Sequence, residues 1–250
     1  MSEENKLSKK EIDDLITIPQ FPRSMKYDSK WIIENEMGSN CLWLIESLSQ
    51  KMSFTQDMRI LDLGCGKALS SIFLAKEFGT QVWAVDPSIS PTDNYRRIKK
   101  ANVEDKVFPL LGSARKLPFP EEFFDAIVGI NSYQFFGADD IFLRFFLLKH
   151  LKPGGRIGMI VPGFYTDFDA IPEHLLLFWD EAFLSTWHSP DWYHRNLSKN
   201  NSIEIELLDT LEGHGFEFFL RWEKIMNDSR VSRTDNGRNI TFVRFILRKK

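Results

Sequence analysis

RILDLGCGKALSS, residues 59–71, sets the reading of the whole chain. Its first five residues, Arg59 to Leu63, form a short, mostly apolar run of the kind that becomes a buried strand. Gly64 and Gly66 follow at once as a Gly-x-Gly turn, and beyond it Ala68, Ile72, Leu74 and Ala75 line one face of a helix. A strand feeding a tight glycine turn into a helix is the opening unit of a nucleotide-binding α/β fold. Glycine lets the backbone approach a ligand closely, and the N–H groups at a helix start attract negative charge. Two acids bracket this turn. Asp62 lies inside the strand end, and Asp86 closes the next strand-like run, Gln81 to Val85. Dinucleotide folds also carry a ribose-binding acid about 20 residues on, so Asp86 alone does not separate the ligands. Asp62 does some separating, because a carboxylate beside the turn repels phosphate and suits an ammonium group. The third glycine of the dinucleotide fingerprint is also absent.

Composition narrows the class. A chain of 250 residues, 43% of them hydrophobic, can bury a full core and is most simply one α/β domain with additions. A formal charge of −3 gives no basic footprint for nucleic acid. Cys41 and Cys65 are too few for a disulfide framework or a cysteine-based zinc site, and the chain reads as cytosolic. The leader MSEENKLSKKEIDD is charged where a signal peptide needs an apolar run, and no stretch approaches the ~18 apolar residues of a membrane span.

In chain order, the first fourteen residues read as a solvated tail or frayed helix. Residues 16–38 mix Pro19, Pro22, Tyr27, Trp31 and Met37, too aromatic for a tail and too proline-broken for one helix. Ser39 or Asn40 caps a core helix bearing Cys41, Leu44, Ile45, Leu48 and Met52 on one face. GTQVWAVDP is the second strand, and a helix follows with Ser90 as cap and Pro91 at its first position. Arg96, Arg97, Lys99 and Lys100 read as its solvated face. VFPLLG is the third strand and FFDAIVGI the fourth, near-continuously apolar as a strand covered on both faces should be. Asn131 to Phe136 then occupy the C-terminal end of a central parallel strand, where open α/β sheets bind ligands, which makes Tyr133 and Gln134 candidates for the reacting centre. Ala138–Leu151 reads as one helix with Phe142, Phe145, Phe146 and Leu148 in the core, and LKPGG as the turn before the fifth strand.

Residues 163–201 are the least standard part. They hold nine aromatic residues from Phe164 to Tyr193, together with His174, His188, Asp191 and His194. His188 and His194 are six apart, unsuited to the i, i+4 pairing of a zinc site, and no cysteine supports them, so no metal is expected. A packing histidine is the leading account of His188, with general base the alternative. Ile203–Leu211 reads as a helix, and Phe216–Ile225 with Asn239–Leu247 as two strands pairing as a hairpin.

DLGCG after a strand, an acid at the next strand end, then KLPF and LKPGG, stand in the order found in class I S-adenosylmethionine-dependent methyltransferases, which the chain resembles. The resemblance is dense from Ile60 to Val161. It is closest to bacterial small-molecule methyltransferases of the ubiquinone-biosynthesis and cyclopropane-fatty-acid-synthase-like groups; the bicarbonate-binding set of true cyclopropanating members has no match here. It implies a Rossmann-like sheet of seven mostly parallel strands with helices on both faces and an antiparallel last strand. It also implies one methyltransferase domain over residues 1–250, an N-terminal lid segment 1–55 and a substrate-selecting insertion at about 163–201. S-adenosylmethionine is the implied cofactor. Asp62 would favour its amino group, directly or through water; Gly64 and Gly66 would give close backbone approach; Asp86, with Pro87 beside it, would accept the ribose hydroxyls. Ser113 and Ala114 would meet adenine, although the acid many relatives carry there is missing. Asn131 would border the cofactor, and Tyr27, with Trp31, would help close the site unless both simply pack on the domain surface. Tyr133, Gln134 and His188 are the residues expected near the reacting methyl group, and the acceptor is expected to be a small molecule. Two other readings stay open: an NAD-dependent oxidoreductase, disfavoured by the missing third glycine and by Asp62, and a non-catalytic binding module on the same fold.

Overall fold

The structure, a computed structural model, describes residues 7–211, 214–228 and 233–250. The first six residues of the leader, Gly213 and residues 229–232 of the segment before the last strand lie outside them. Ser8 caps the first helix, α1 (Lys9–Ile16), and Glu11 bonds back to the Ser8 amide, a reciprocal cap that gives this part of the leader a defined helix. Asp28 caps α2 (Ser29–Asn35), and Asn40 caps α3 (Cys41–Ser49).

Next come β1 (Arg59–Leu63), α4 (Leu69–Phe78), β2 (Gln81–Asp86), α5 (Pro91–Lys100), β3 (Val107–Leu111), β4 (Phe124–Ile130) and β5 (Leu151–Phe164). Three short helices, α6 (Glu173–Leu176), α7 (Glu181–Leu184) and α8 (Pro190–Leu197), precede β6 (Ile203–Thr210), and α9 (Gly215–Ile225) leads to β7 (Ile240–Lys249). The seven strands form one sheet in the order β3-β2-β1-β4-β5-β7-β6. β1 to β5 pair in parallel, whereas β7 is antiparallel to both β5 and β6 and is the one reversed strand. This is the expected Rossmann-like topology. Strand order reverses at β1, whose C-terminal end, with that of β4, opens the ligand crevice of such sheets.

Three expectations about elements are corrected. Residues 203–210 are a strand, not a helix: Ile203, Glu204, Ile205 and Glu206 alternate, and the two acids pair with Arg248 and Arg156. Residues 215–225 are a helix, not a strand. Phe218 and Trp222 fall four apart on its buried face, and that spacing overrides the β preference of the aromatic residues. The predicted hairpin is therefore absent, and β7 slots between β5 and β6 after a helical crossover. The third correction concerns Ala138–Leu151, which is a run of short irregular turns, with a π-helical turn at Leu143–Leu147 and a 3-10 turn at Leu148–His150. Phe142 and Leu148 are buried there, but Phe145 is exposed.

The sheet separates two cores, and strand alternation assigns residues to each. Ile60, Val128, Phe242 and Ile246 face α3, α4 and α9; Leu61, Ile127, Phe245 and Leu247 face the opposite side with Phe142 and Tyr193. The segment between β5 and β6 has a smaller core of its own around Phe164, Leu175, Leu184 and Trp187. Among the described residues no helix is long and apolar enough to cross a membrane.

One charged group crosses this apolar layering. Arg244 of β7 is 7% exposed, forks onto Asp209 directly opposite on β6 at 2.6 and 3.0 Å, and donates to Ser47 of α3. Asp209→Ala would leave that guanidinium buried without its counter-charge, and should lower stability by about 3 kcal/mol. Chemical denaturation tests this; a loss below about 1 kcal/mol would show that the pair behaves like a surface ion pair.

Candidate active site

The glycine turn takes its shape from β2. The Gly64 and Cys65 amides both donate to the Val85 carbonyl, at 2.8 and 3.2 Å, and the Gly66 amide donates to Asp86 Oδ2 at 2.9 Å. Gly64 and Gly66 have φ of 70° and 53°, and a Cβ on Gly64 would lie 2.5 Å from that of Ser132. Ala68 also adopts a left-handed conformation as it opens α4. Ser132, just past β4, donates to the Leu63 carbonyl at 2.6 Å and so locks the ends of β1 and β4 together. Asn94 of α5 donates to the Gly66 carbonyl; Arg97 bonds Asn94 and also Asn35 of α2. Arg97, read from sequence as part of a solvated face, thus ties the glycine turn to the N-terminal segment.

A cavity of about 470 Å³ opens at this junction. The turn, Asp86 and Pro87 form one side, and Asn131, Gln134 and Phe135 after β4 form another. Residues 35–39 lie across both. A Cβ on Gly66 would meet Met37 Sδ at 3.1 Å, and one on Gly38 would meet Asn131 Nδ2 at 3.6 Å. Within this strap Glu36 faces the cavity, its two oxygens accepting from the Met37 and Cys41 amides at 3.0 and 2.8 Å. Burial raises its carboxyl to about 7, against the pull of those amides and the charge of Lys67. Asp86 is more fully engaged. Its Oδ1 accepts from Ser88 N, Ser88 Oγ and Ile89 N, while Oδ2 receives the Gly66 amide.

The residues expected at the site divide into two groups. Gly64, Gly66, Asp86, Pro87, Asn131 and Gln134 line the cavity. Tyr27, Asp62, Ser113, Ala114, Tyr133 and His188 do not. Asp62 is 1% exposed, and its Oδ2 accepts from the Ser70 and Ser71 hydroxyls, both at 2.6 Å, beneath the first turn of α4. Burial lifts its carboxyl to about 6, opposed by those two hydroxyls. Tyr27 stacks on Trp31 and packs against Phe73 of α4, with its hydroxyl near Glu77, which is the surface-packing alternative. The 3-10 turn after β4 sends Gln134 to the cavity and Tyr133 into the opposite core, against Phe245 at 5.3 Å. His188 stacks face to face on Trp192 at 3.6 Å and lines a second cavity; burial lowers its imidazole to about 4, so it is neutral at pH 7. Ser113 accepts from the Arg115 amide beyond β3. Sequence reading missed Glu36, hidden in a segment with no motif, and Phe219 of α9; Phe183 and Trp187, which also line the cavity, lie within the expected insertion 163–201. No cluster of three or more metal-ligating side chains occurs among the described residues.

Comparison with known proteins agrees with this geometry. Residues 60–155 match the family described as a methyltransferase domain. The chain is 28% identical over 117 residues to the methyltransferase GfsG of Streptomyces halstedii, covering 46% of this chain and 42% of that protein. It is 30% identical over 124 residues to the fatty-acid O-methyltransferase of Mycolicibacterium smegmatis, covering 50% and 41%. The chain thus matches about four-tenths of the length of these relatives. In fold it is similar to geranyl diphosphate C-methyltransferase from Streptomyces coelicolor A3(2), solved with Mg2+, geranyl-S-thiolodiphosphate and S-adenosyl-L-homocysteine. The TM-score is 0.68 at 18% identity, covering 83% of this chain and 76% of that one. The fold is thus one seen in a methyltransferase structure, and the match to the methyltransferase-domain family extends over residues 60–155.

The buried Asp62 makes a signed prediction. Between the ordinary aspartate value of 3.8 and about 6, the folded chain retains a proton that the unfolded chain has lost, so this group's contribution to stability falls as pH rises through that interval. Asp62→Asn keeps an acceptor for Ser70 and Ser71 and removes the titration. Relative to the unsubstituted protein, it should gain up to about 3 kcal/mol at pH 7 over its value at pH 3.5. Denaturation midpoints at the two pH values measure this, and an unchanged difference would contradict the assignment.

Proposed function

We propose that the protein is an S-adenosylmethionine-dependent methyltransferase acting on a small molecule, and that the cavity between β1, β4 and the 35–39 strap holds the methyl donor. The observation that carries this is the placing of two carboxylates, Glu36 and Asp86, on either side of the left-handed glycine turn in one cavity. The donor has an ammonium-bearing end and a ribose, and each carboxylate suits one of them. Asp86 Oδ2 has one amide on it and room for a ribose hydroxyl. Glu36 oxygens carry one amide each, and no ion pair reaches this carboxylate among the described residues. Burial raises the Cys41 thiol, and the charges of Glu36 and Asp62 add to it, so both acids lie near this cysteine. Of the two, Glu36 lines the cavity, so the direct ammonium contact is assigned to it, and Asp62 is assigned to holding the first turn of α4.

In the reaction, a lone pair of the acceptor forms a bond to the methyl carbon as the carbon–sulfur bond breaks and leaves its electron pair on sulfur. Any proton on the acceptor atom passes to solvent. The enzyme's part is to align acceptor, methyl and sulfur and to exclude water. Asn131 and Gln134 are assigned to the acceptor side of the donor, in keeping with their position past β4. Tyr133 and His188 are assigned structural roles, since neither borders the cavity.

Two donor-site ligands test the assignment of Glu36. S-adenosylhomocysteine carries the ammonium group and 5′-methylthioadenosine lacks it. Glu36→Gln should weaken the first by about tenfold or more and leave the second within about twofold. Calorimetric titration reads both; equal losses for the two ligands, or none, would remove the ammonium role from Glu36.

A further inference from the structure

The wall of the large cavity divides by chemistry. Its charged residues, Glu36, Lys67 and Asp86, stand around the glycine turn and the strap. The rest of the wall carries a band of rings. Phe135 lies 6.4 Å from Phe183, Phe183 5.7 Å from Trp187, and Trp187 6.4 Å from Phe219, centroid to centroid. Among the described residues no charged side chain lines this half. The single lysine on the whole wall, Lys67, already donates its Nζ to the Glu34 carbonyl at 3.0 Å.

Three uncharged residues of this wall, Asn131, Gln134 and Trp187, carry a buried polar atom without a partner among the described residues; Trp187 also lines the second cavity, and the Asn131 atom is the acceptor Oδ1. Gln134 is 4% exposed, and its Nε2 donates to the Asn131 carbonyl at 2.9 Å. That bond fixes which way the amide faces, because a carbonyl oxygen cannot donate. Oε1 is left as a buried acceptor with no partner among the described residues. Trp187 is 5% exposed, and its indole Nε1–H, a donor only, is also without a partner. Buried polar groups are ordinarily paired, and an apolar wall offering two acceptors and one donor describes the polar outline of what it binds.

We infer that the methyl acceptor is an uncharged molecule on an apolar frame that gives an N–H or O–H to Gln134 Oε1 and receives the Trp187 Nε1–H on an oxygen or nitrogen. The inference rests on the methyltransferase reading of the cavity. An anionic acceptor would lose its water in this half without meeting a cation, and an ammonium would be attracted to the ring faces but, with no carboxylate beside it, would recover only part of its lost hydration. A neutral molecule avoids both costs and can satisfy an orphaned acceptor and the orphaned donor together. Gln134 then selects the acceptor by its hydrogen-bonding hydrogen, and Trp187 by its lone pair.

Three probes that share one ring and differ in charge test this: 4-hydroxybenzamide, 4-hydroxybenzoate and 4-hydroxybenzylamine. Each is titrated by calorimetry into the full chain saturated with S-adenosylhomocysteine. The neutral amide should bind at least about tenfold more tightly than either ion. Gln134→Met and Trp187→Phe should each weaken the amide by about fivefold or more, with S-adenosylhomocysteine affinity and melting temperature as checks on folding. The ranking on the unsubstituted protein stands alone should a variant not fold. Either ion binding as tightly as the amide, or none of the three binding at millimolar concentration, would overturn the inference. Failure of S-adenosylhomocysteine itself to bind would overturn the methyltransferase reading and this inference with it; binding of that ligand with the probe ranking reversed would overturn this inference alone.

Discussion

The clamp that the end of β2 places on the glycine turn organises the rest of the molecule. One carbonyl, that of Val85, receives two consecutive amides, and the carboxylate of Asp86 receives a third. With their donors held this way, Gly64 and Gly66 stay in left-handed conformations where a Cβ would meet Ser132 or Met37, and α4 starts just beyond, after the left-handed Ala68. Asp86 therefore has two tasks. It holds the turn through Gly66 and its own loop through Ser88 and Ile89, and it keeps a face toward the cavity.

From this clamp the connections spread outward. Ser132 joins the end of β4 to that of β1, so the residues that follow β4 have a fixed position relative to the turn. Asn94 and Arg97 carry the turn's position to Asn35, and the Lys67 ammonium holds the Glu34 carbonyl. The start of the strap that bears Glu36 is thereby tied to the glycine turn. The segment between β5 and β6 closes the remaining side. Gly163 makes that approach possible, because a Cβ there would lie 2.4 Å from the His188 carbonyl oxygen. Trp187 and Phe183 reach the cavity from this segment, and Phe219 reaches it from α9.

Much of this architecture is legible in the sequence because its signals are local. A five-residue apolar run, two glycines and a helical face define β1, the turn and α4 without reference to the rest of the chain. β2, β3 and β4 follow for the same reason, and the cap at Asn40 and proline at the start of α5 mark helix starts. The region 203–225 misleads because two signals compete there. Charged glutamates obscure the alternation of β6, and dense phenylalanines obscure the helical spacing of α9. Within the site, a residue's neighbour in sequence is a poor guide to its neighbour in space. Asp62 is two residues from Gly64, yet the pleat of β1 turns it under α4 to meet Ser70 and Ser71. Tyr133 and Gln134 are adjacent but separate into opposite environments. Glu36 and the aromatic band carry no motif at all, since their meeting is a product of tertiary folding.

The account stands on the cavity being the place where a sulfonium donor is gripped at both ends. A crystal structure of the protein grown with millimolar S-adenosylhomocysteine tests that most directly. The account predicts the ligand beneath the 35–39 strap, its ammonium within hydrogen-bonding distance of Glu36 and its ribose hydroxyls on Asp86. An empty cavity under those conditions, or a ligand whose amino-acid end lies against the aromatic band, would contradict it.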